Sequence, residues 1–234
     1  ACDKRLHRLI SYLHHTSDYT QMCWVGDEVK DCLLAVYADS SYVDGTQDSN
    51  STTGAFVAIM GPRTYVPLTW ICKKQGSVSL STAEAEVAAL EMSLRLECLP
   101  IVQLKVEIRI ILHPKEKPYS VAKLRMATPK NPLEELANVD FVPKTLPTHP
   151  TATPLVILED NESVIKMLAK GRSLAMRHVS RTHQTGLDWL FQRSMEDPSW
   201  KIKYIPTKLQ AADAMTKGSF TVDIFLRLLR QLSI

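Results

Sequence analysis

Apolar and polar positions change period several times along the chain, and each change marks an element. Over residues 4–15, Leu6, Leu9, Ile10 and Leu13 recur at helical spacing while Lys4, Arg5, His7 and Arg8 take other faces. This predicts an amphipathic helix that needs a surface to pack against. Leu33 to Ala38 form a short apolar run that stops at Asp39, and a turn-rich stretch through Gly45, Asp48, Ser49 and Asn50 follows, as when a strand empties into a loop. Two further strand-like runs, Ala55 to Met60 and Leu68 to Cys72, flank a Gly61-Pro62 turn signal and predict an antiparallel arrangement with the first strand. Ser81-Thr82 then precede Glu84 in a near capping-box pattern, and Ala88, Ala89, Met92, Leu94 and Leu96 carry a helix toward Pro100 and across the sheet.

Between about residues 105 and 153 the pattern degrades. Seven prolines (Pro114, Pro118, Pro129, Pro132, Pro143, Pro147, Pro150) break any long period, although Val106 to Leu112 has the character of a strand. The stretch reads as an insertion or a partly disordered linker. Order resumes at the buried-strand run Leu155 to Leu158, which ends in Glu159-Asp160 and leads into a helix stopping at Lys170-Gly171. Residues 175–195 are expected to be helical, Lys201 to Ile205 a strand, Pro206-Thr207 the start of a helix ending near Gly218, and Val222 to Leu232 a last helix. Three early strands, a helix, then alternating strands and helices predict an α/β fold with a mixed sheet and helices packed on it.

Composition narrows this only a little. At 234 residues with 45% hydrophobic content, one domain with an insertion is the expectation. The 28 basic and 25 acidic residues are too balanced to announce a nucleic-acid partner from totals. No apolar run reaches the roughly 18 residues of a membrane span, and no apolar segment follows the basic start, so a soluble, intracellular protein is expected. Cys2, Cys23, Cys32, Cys72 and Cys98 are scattered without a C-x-x-C pair, and His178 and His183 are spaced to share no helical face, which argues against zinc.

The candidate chemistry is acidic. Asp39 and Asp160 each stand where an apolar strand run stops, a place from which carboxylates project into the crevice of an open α/β sheet. Glu86 lies in the first turns of the crossing helix and Asp213 inside the late helix, so all four can face one crevice. Taken singly, each reads equally as a turn, cap or solvated helix residue. Together, such carboxylates repel one another unless cations neutralise them, and all-oxygen ligands select Mg²⁺ or Mn²⁺. Two ions roughly 3.5–4 Å apart would serve in-line phosphodiester hydrolysis.

Several segments, in order, resemble the ribonuclease H region of Ty1/copia-type retrotransposon polyproteins. Leu33-Leu34-Ala35-Val36-Tyr37-Ala38-Asp39-Ser40 is similar to its first strand, and Asn50-Ser51-Thr52-Thr53-Gly54-Ala55 to the K-S-T-S-G-Y that follows. Trp70-Ile71-Cys72-Lys73-Lys74-Gln75 resembles W-x-S-K-K-Q, and Val78 through Val87 resembles V-A-L-S-S-T-E-A-E-Y, which makes Glu86 the matching glutamate. Leu158-Glu159-Asp160-Asn161 resembles the C-D-N segment, and Tyr204 through Lys217 resembles Y-V-P-T followed by Q-L-A-D-I-L-T-K. The opening Lys4 to Leu13 is similar to the K-R-I-L-R-Y-L that joins reverse transcriptase to this domain. Departures are Ser41, Tyr42 and Val87 in place of an acid, a tryptophan and a tyrosine, none of them a matched ligand.

The resemblance implies a ribonuclease H-like sheet, three antiparallel strands followed by parallel ones. Residues 1–30 would be the connection from reverse transcriptase, 31–220 the domain with its insertion at about 105–153, and 221–234 a C-terminal helix. It implies Asp39, Glu86, Asp160 and Asp213 as catalytic ligands of two Mg²⁺ (or Mn²⁺) ions, an RNA/DNA hybrid as substrate, and the reverse transcriptase and integrase regions of the same polyprotein as partners. The place of work would be a cytoplasmic virus-like particle or the nucleus, with no membrane partner. Asn50, Ser51 and Thr53 are candidates for reading the 2′-hydroxyl, and Lys73, Lys74 and Gln75 for gripping the DNA strand. Between Lys166 and Lys217 ten basic residues face four acidic ones, a backbone track that includes Arg177, His178 and Arg181. Two alternatives stay open: a catalytically silent hybrid-binding or structural module, and an integrase of the same broad fold, which would need a late glutamate where Asp213 stands.

Overall fold

A computed structural model describes residues 2–42, 50–112, 154–170, 181–197 and 199–234. Its centre is a five-stranded sheet: β1 (Leu33–Ser41), β2 (Thr52–Gly61), β3 (Thr64–Lys74), β4 (Leu155–Glu159) and β5 (Trp200–Tyr204), in the order β3-β2-β1-β4-β5. β1, β2 and β3 pair antiparallel, while β4 runs parallel to both β1 and β5. This is the mixed sheet expected from the alternation of apolar runs. The hairpin between β2 and β3 turns at Pro62-Arg63, as the Gly61-Pro62 signal predicts. Pro67 falls on the edge strand β3, beside a register shift, where a missing N–H costs no ladder bond.

Strand parity sorts the side chains between two layers. Leu34, Val36 and Ala38 of β1, Val57 of β2, and Leu155 and Ile157 of β4 point to one face. There they pack with Val87 and Leu90 of helix α2 (Thr82–Ser93), Val164 and Leu168 of α4 (Glu162–Lys170), and Leu187 and Leu190 of α5 (Arg181–Glu196). The opposite face holds a smaller cluster of Phe56, Ala58, Ala211 and Leu232, flanked by Tyr37, Tyr65 and Met215. Burial of these full-length aliphatic side chains, at about 1.5–3 kcal/mol each, is the main force holding the layers together.

Three expectations need correction. The crossing helix does not end near Pro100, and Val106 to Leu112 is not a strand: helix continues from Thr82 to Leu112, through a π-helical turn at Leu94–Cys98 and into α3 (Leu99–Leu112). The wider turn, in which Leu99 N–H donates to Leu94 O, comes just before Pro100, whose missing N–H then falls in the first turn of α3. Thr69 of β3 donates to Glu97 inside that turn at 2.8 Å, which ties it to the sheet edge. Second, the single helix expected from Pro206 to Gly218 is two short pieces, a 3₁₀ turn at Thr207–Leu209 and the one-turn helix α6 (Asp213–Thr216). Third, the irregular stretch begins later than residue 105, because helix reaches Leu112; residues 113–153 lie outside the described residues. The opening helix α1 (Cys2–His15) forms as expected, and Leu6, Leu9, Ile10 and Leu13 are each more than half exposed. The last helix, α7 (Val222–Gln231), is present, and its carbonyl at Gln231 accepts from Tyr65 Oη. No helix among the described residues is long and apolar enough to cross a membrane.

Candidate active site

Asp39 stands near the C-terminal end of β1, paired across the ladder with Gly54 of β2. The parallel register of β1 with β4 ends at Tyr37 and Leu158, so Asp39 and Asp160 each lie two residues beyond the last matched pair, at one level of the sheet. Parity turns Asp39 to the face that carries α6, and Gly54 explains why that helix can come so close. A Cβ built on Gly54 would lie 2.5 Å from Thr216 Cγ2 and 3.0 Å from both Ala212 O and Met215 Cβ. The bare glycine lets α6 sit directly on β2 and delivers Asp213 beside Asp39.

Gln210 fixes the approach to α6. Fully buried, it donates from Nε2 to Ala38 O at 2.8 Å, one residue before Asp39, and its Oε1 accepts from Ala212 N at 3.4 Å. On the other side of the sheet, Ser81 caps α2: its hydroxyl accepts from Glu84 N at 3.2 Å, while the Glu84 carboxylate accepts from Leu80 N. This near capping box commits Glu84 to the helix start and leaves Glu86, one half-turn on, to face the sheet.

The carboxylates shift one another's titration. Burial, helped by Asp39, Glu159 and Asp160, pushes Glu86 up to about 9. Asp39 rises to about 6: burial is the main cause, with Asp213 and Asp160 adding to it while a hydrogen bond from Thr216 and the charge of Lys217 oppose it. Asp213 is also raised by burial and by Asp160, against the pull of Lys217. Asp39, Glu86 and Asp213 are buried and Asp160 is half-buried. Asp39 is thus felt at Glu86, Asp213 at Asp39, and Asp160 at Asp39, Glu86 and Asp213.

Glu159 is a fifth acid that the sequence reading passed over. It is fully buried at the end of β4 and raised to about 8 by burial, with Asp160 and Asp39 adding to it against an N–H bond from Asn161. Its signal was available: Leu155, Ile157 and Glu159 alternate, which places Glu159 on the core-facing side that also receives Glu86. Gln210 and Thr216 were likewise given no part, and Lys217 was counted only in the basic track, though all three flank the Asp213 match. Thr216 Oγ1 donates to Asp39 Oδ2, and Lys217 Nζ lies 2.6 Å from Asp213 Oδ2.

The donor set suits a hard divalent cation. Every acid in it offers oxygen only, and Glu86 Oε2, Glu159 Oε2 and Asp213 Oδ1 are buried without a hydrogen-bond partner. As they stand, no three His, Cys, Asp or Glu side chains among the described residues are gathered closely enough to hold an ion. The hydroxyl of Thr216 and the ammonium of Lys217 occupy one oxygen each of Asp39 and Asp213 instead.

The substrate-side residues separate into three groups. Lys73 and Lys74 are exposed at the end of β3, and Asn50 is half-buried at the entrance of β2. Ser51, Thr53 and Gln75 are buried. Gln75 donates to Thr53 Oγ1 at 3.2 Å and to Ala85 O at 2.8 Å, and its backbone N–H donates to Ser51 O at 2.8 Å. These three brace the β2–β3 end against α2, and direct contact of Thr53 or Gln75 side chains with a nucleic acid is not available in this arrangement. Arg177 and His178 lie outside the described residues, and of Arg181 only its place at the start of α5 is described.

No protein-family model matches the chain, and no curated protein matches it. Among solved structures it is similar to the N-terminal RNase H domain of Rv2228c from Mycobacterium tuberculosis, solved as a fusion with maltose-binding protein. That likeness has 10% sequence identity and a TM-score of 0.38, and it covers 84% of this chain and 96% of the other. The strand order, the antiparallel and parallel pairings and the helices on both faces make this chain a mixed α/β protein.

Proposed function

We propose that the chain hydrolyses the RNA strand of RNA/DNA hybrids internally, as the ribonuclease H part of a Ty1/copia-type retrotransposon polyprotein during reverse transcription. The observation that carries this reading is the mutual influence of Asp39, Glu86, Asp160 and Asp213 at the C-terminal ends of the central strands β1 and β4, where Asp160 and Asp39 raise Glu86 and Asp213 and Asp160 raise Asp39. Asp39, Glu86, Asp160 and Asp213 would hold two Mg²⁺ or Mn²⁺ ions. When bound, the ions supply charge neutralisation and activation of water for attack on a phosphodiester. The protein's own part is to hold the acids rigidly: Gln210 and Gly54 fix α6, Ser81 and Glu84 fix the start of α2, and β1 and β4 set Asp39 and Asp160 at one level. The exposed Lys73 and Lys74 offer charge to a phosphate backbone, with little preference for sequence. The reverse transcriptase and integrase of the same polyprotein would be its partners, in a cytoplasmic particle or the nucleus.

The ion pair of Lys217 with Asp213 favours a second reading, a hybrid-binding module that does not cut. One assay separates the two. A labelled RNA/DNA hybrid is incubated with the chain in Mg²⁺, in Mn²⁺ and in chelator; metal-dependent cuts within the RNA strand are expected. Binding without cleavage in either metal would leave the silent module.

A further inference from the structure

Two neighbouring residues at the end of α6 stand against two of the acids. Thr216 donates to Asp39, and Lys217 Nζ lies 2.6 Å from Asp213 Oδ2. A lysine four residues after an aspartate at a helix C-terminus is commonly no more than a solvated pair on a helix face. Lys166 and Glu162 show that form here, with both side chains about two-thirds exposed, at 68% and 67%. The Lys217 pair differs: the Asp213 side chain is 8% exposed against 45% for Lys217, so the ammonium reaches inward to a buried carboxylate. Asp213 Oδ1 is buried without a partner, and the charge of Lys217 is felt at Asp39 as well.

We propose that Lys217 is an internal counter-ion of the carboxylate cluster, and that its ammonium and a divalent cation exchange for one another at Asp213; the proposal rests on the nuclease reading above. A single ammonium at Asp213 leaves buried oxygens of Glu86, Glu159 and Asp213 unsatisfied. A divalent ion brings twice the charge and takes several oxygens at once, so it wins at sufficient concentration. The half-exposed stem of Lys217 lets the ammonium withdraw to water without dismantling α6. Lys217 thus raises the metal concentration at which the site fills.

The test is calorimetric titration of Mg²⁺ into the chelator-treated full chain, for wild type, Lys217→Met, Lys217→Gln and Lys217→Arg, with the fold of each checked by circular dichroism. Removal of the competing charge is expected to tighten Mg²⁺ binding about tenfold in both Lys217→Met and Lys217→Gln, equal to about 1.4 kcal/mol. Lys217→Arg keeps the charge and stays near wild type. A lysine that merely holds α6 in place would give the opposite sign, because a loosened Asp213 binds metal less well. Wild-type uptake with unchanged or weaker binding in both neutral variants overturns the exchange alone. No uptake by any of the four overturns the nuclease reading and the exchange with it.

Discussion

Glu86 shows how much a buried acid can be asked to endure. Its carboxyl is raised to about 9 from an ordinary 4.5, chiefly by burial, then by Asp39, Glu159 and Asp160. The fold therefore favours its neutral form. The stability Glu86 contributes is complete below about pH 4.5 and drains away as pH rises through the folded value near 9. In chelator, Glu86→Gln should melt higher than wild type at pH 8 and no higher at pH 4.5. A chain of this length gains roughly 2–4 °C for each kcal/mol recovered. Equal melting temperatures at pH 8 would mean that the charge of Glu86 is already compensated. Saturating Mg²⁺ should then favour wild type, because only the carboxylate can use the ion. Asp39 and Asp160 were legible in the sequence for a simple reason: each follows an apolar strand run, and a charged residue there has the open end of the strand to occupy. Glu159 carried the same signal in the alternation of Leu155, Ile157 and Glu159, but an acid on the core-facing side breaks the rule that strand interiors are apolar, so the alternation alone does not single it out. Ser51, Thr53 and Gln75 were legible as a string of polar residues, but a string does not tell a surface grip from an internal brace.

At the scale of elements, the docking of α6 decides whether the acids meet at all. The helix is a single turn, too short to hold itself by its own hydrogen bonds, and it is kept by the gap over Gly54 and the Gln210 tether to β1. A methyl at position 54 would press on Ala212 O and Met215 Cβ at 3.0 Å, neither of which is the free end of a flexible chain. Gly54→Ala is therefore expected to cost about 1–3 kcal/mol in a denaturant titration and to reduce hybrid cleavage by moving Asp213 away from Asp39. Unaltered stability and cleavage together would show that α6 has room to shift. Strands were readable here because their two-residue alternation is local. The crossing helix was misread for the same local reason: Val106, Ile108 and Ile110 alternate with Lys105, Glu107 and Arg109, and Pro100 looks like a stop. What overrode both was the π turn at Leu94–Cys98, which no spacing in the sequence announces and which moves the proline into the first turn of a new helix.

For the whole molecule, the sheet is the frame and the ends of β1 and β4 carry the proposed site, so metal should act on stability and on cleavage together. Oxygens of Glu86, Glu159 and Asp213 that are buried and unpartnered mean that the chain folds against a local electrostatic cost, which a bound cation would relieve. Binding to the native state alone stabilises by mass action, about 2.7 kcal/mol at a hundredfold excess over Kd. Mg²⁺ should accordingly raise the melting temperature of the wild type, with a larger rise at pH 8 than at pH 5, since Asp39 at about 6 and Glu159 at about 8 hold their protons in acid and must release them to the ion. Asp39→Asn and Asp160→Asn remove one ligand each without changing side-chain size. Both should keep the fold, lose most of the Mg²⁺-induced rise, and lose cleavage by at least about a hundredfold, or about 2.7 kcal/mol of transition-state stabilisation. Thermal melts with and without Mg²⁺, set beside hybrid cleavage by the same preparations, check all three. A variant that still cuts at wild-type rate would remove that aspartate from the site, and full retention of the Mg²⁺ response by both would move the cation elsewhere on the molecule.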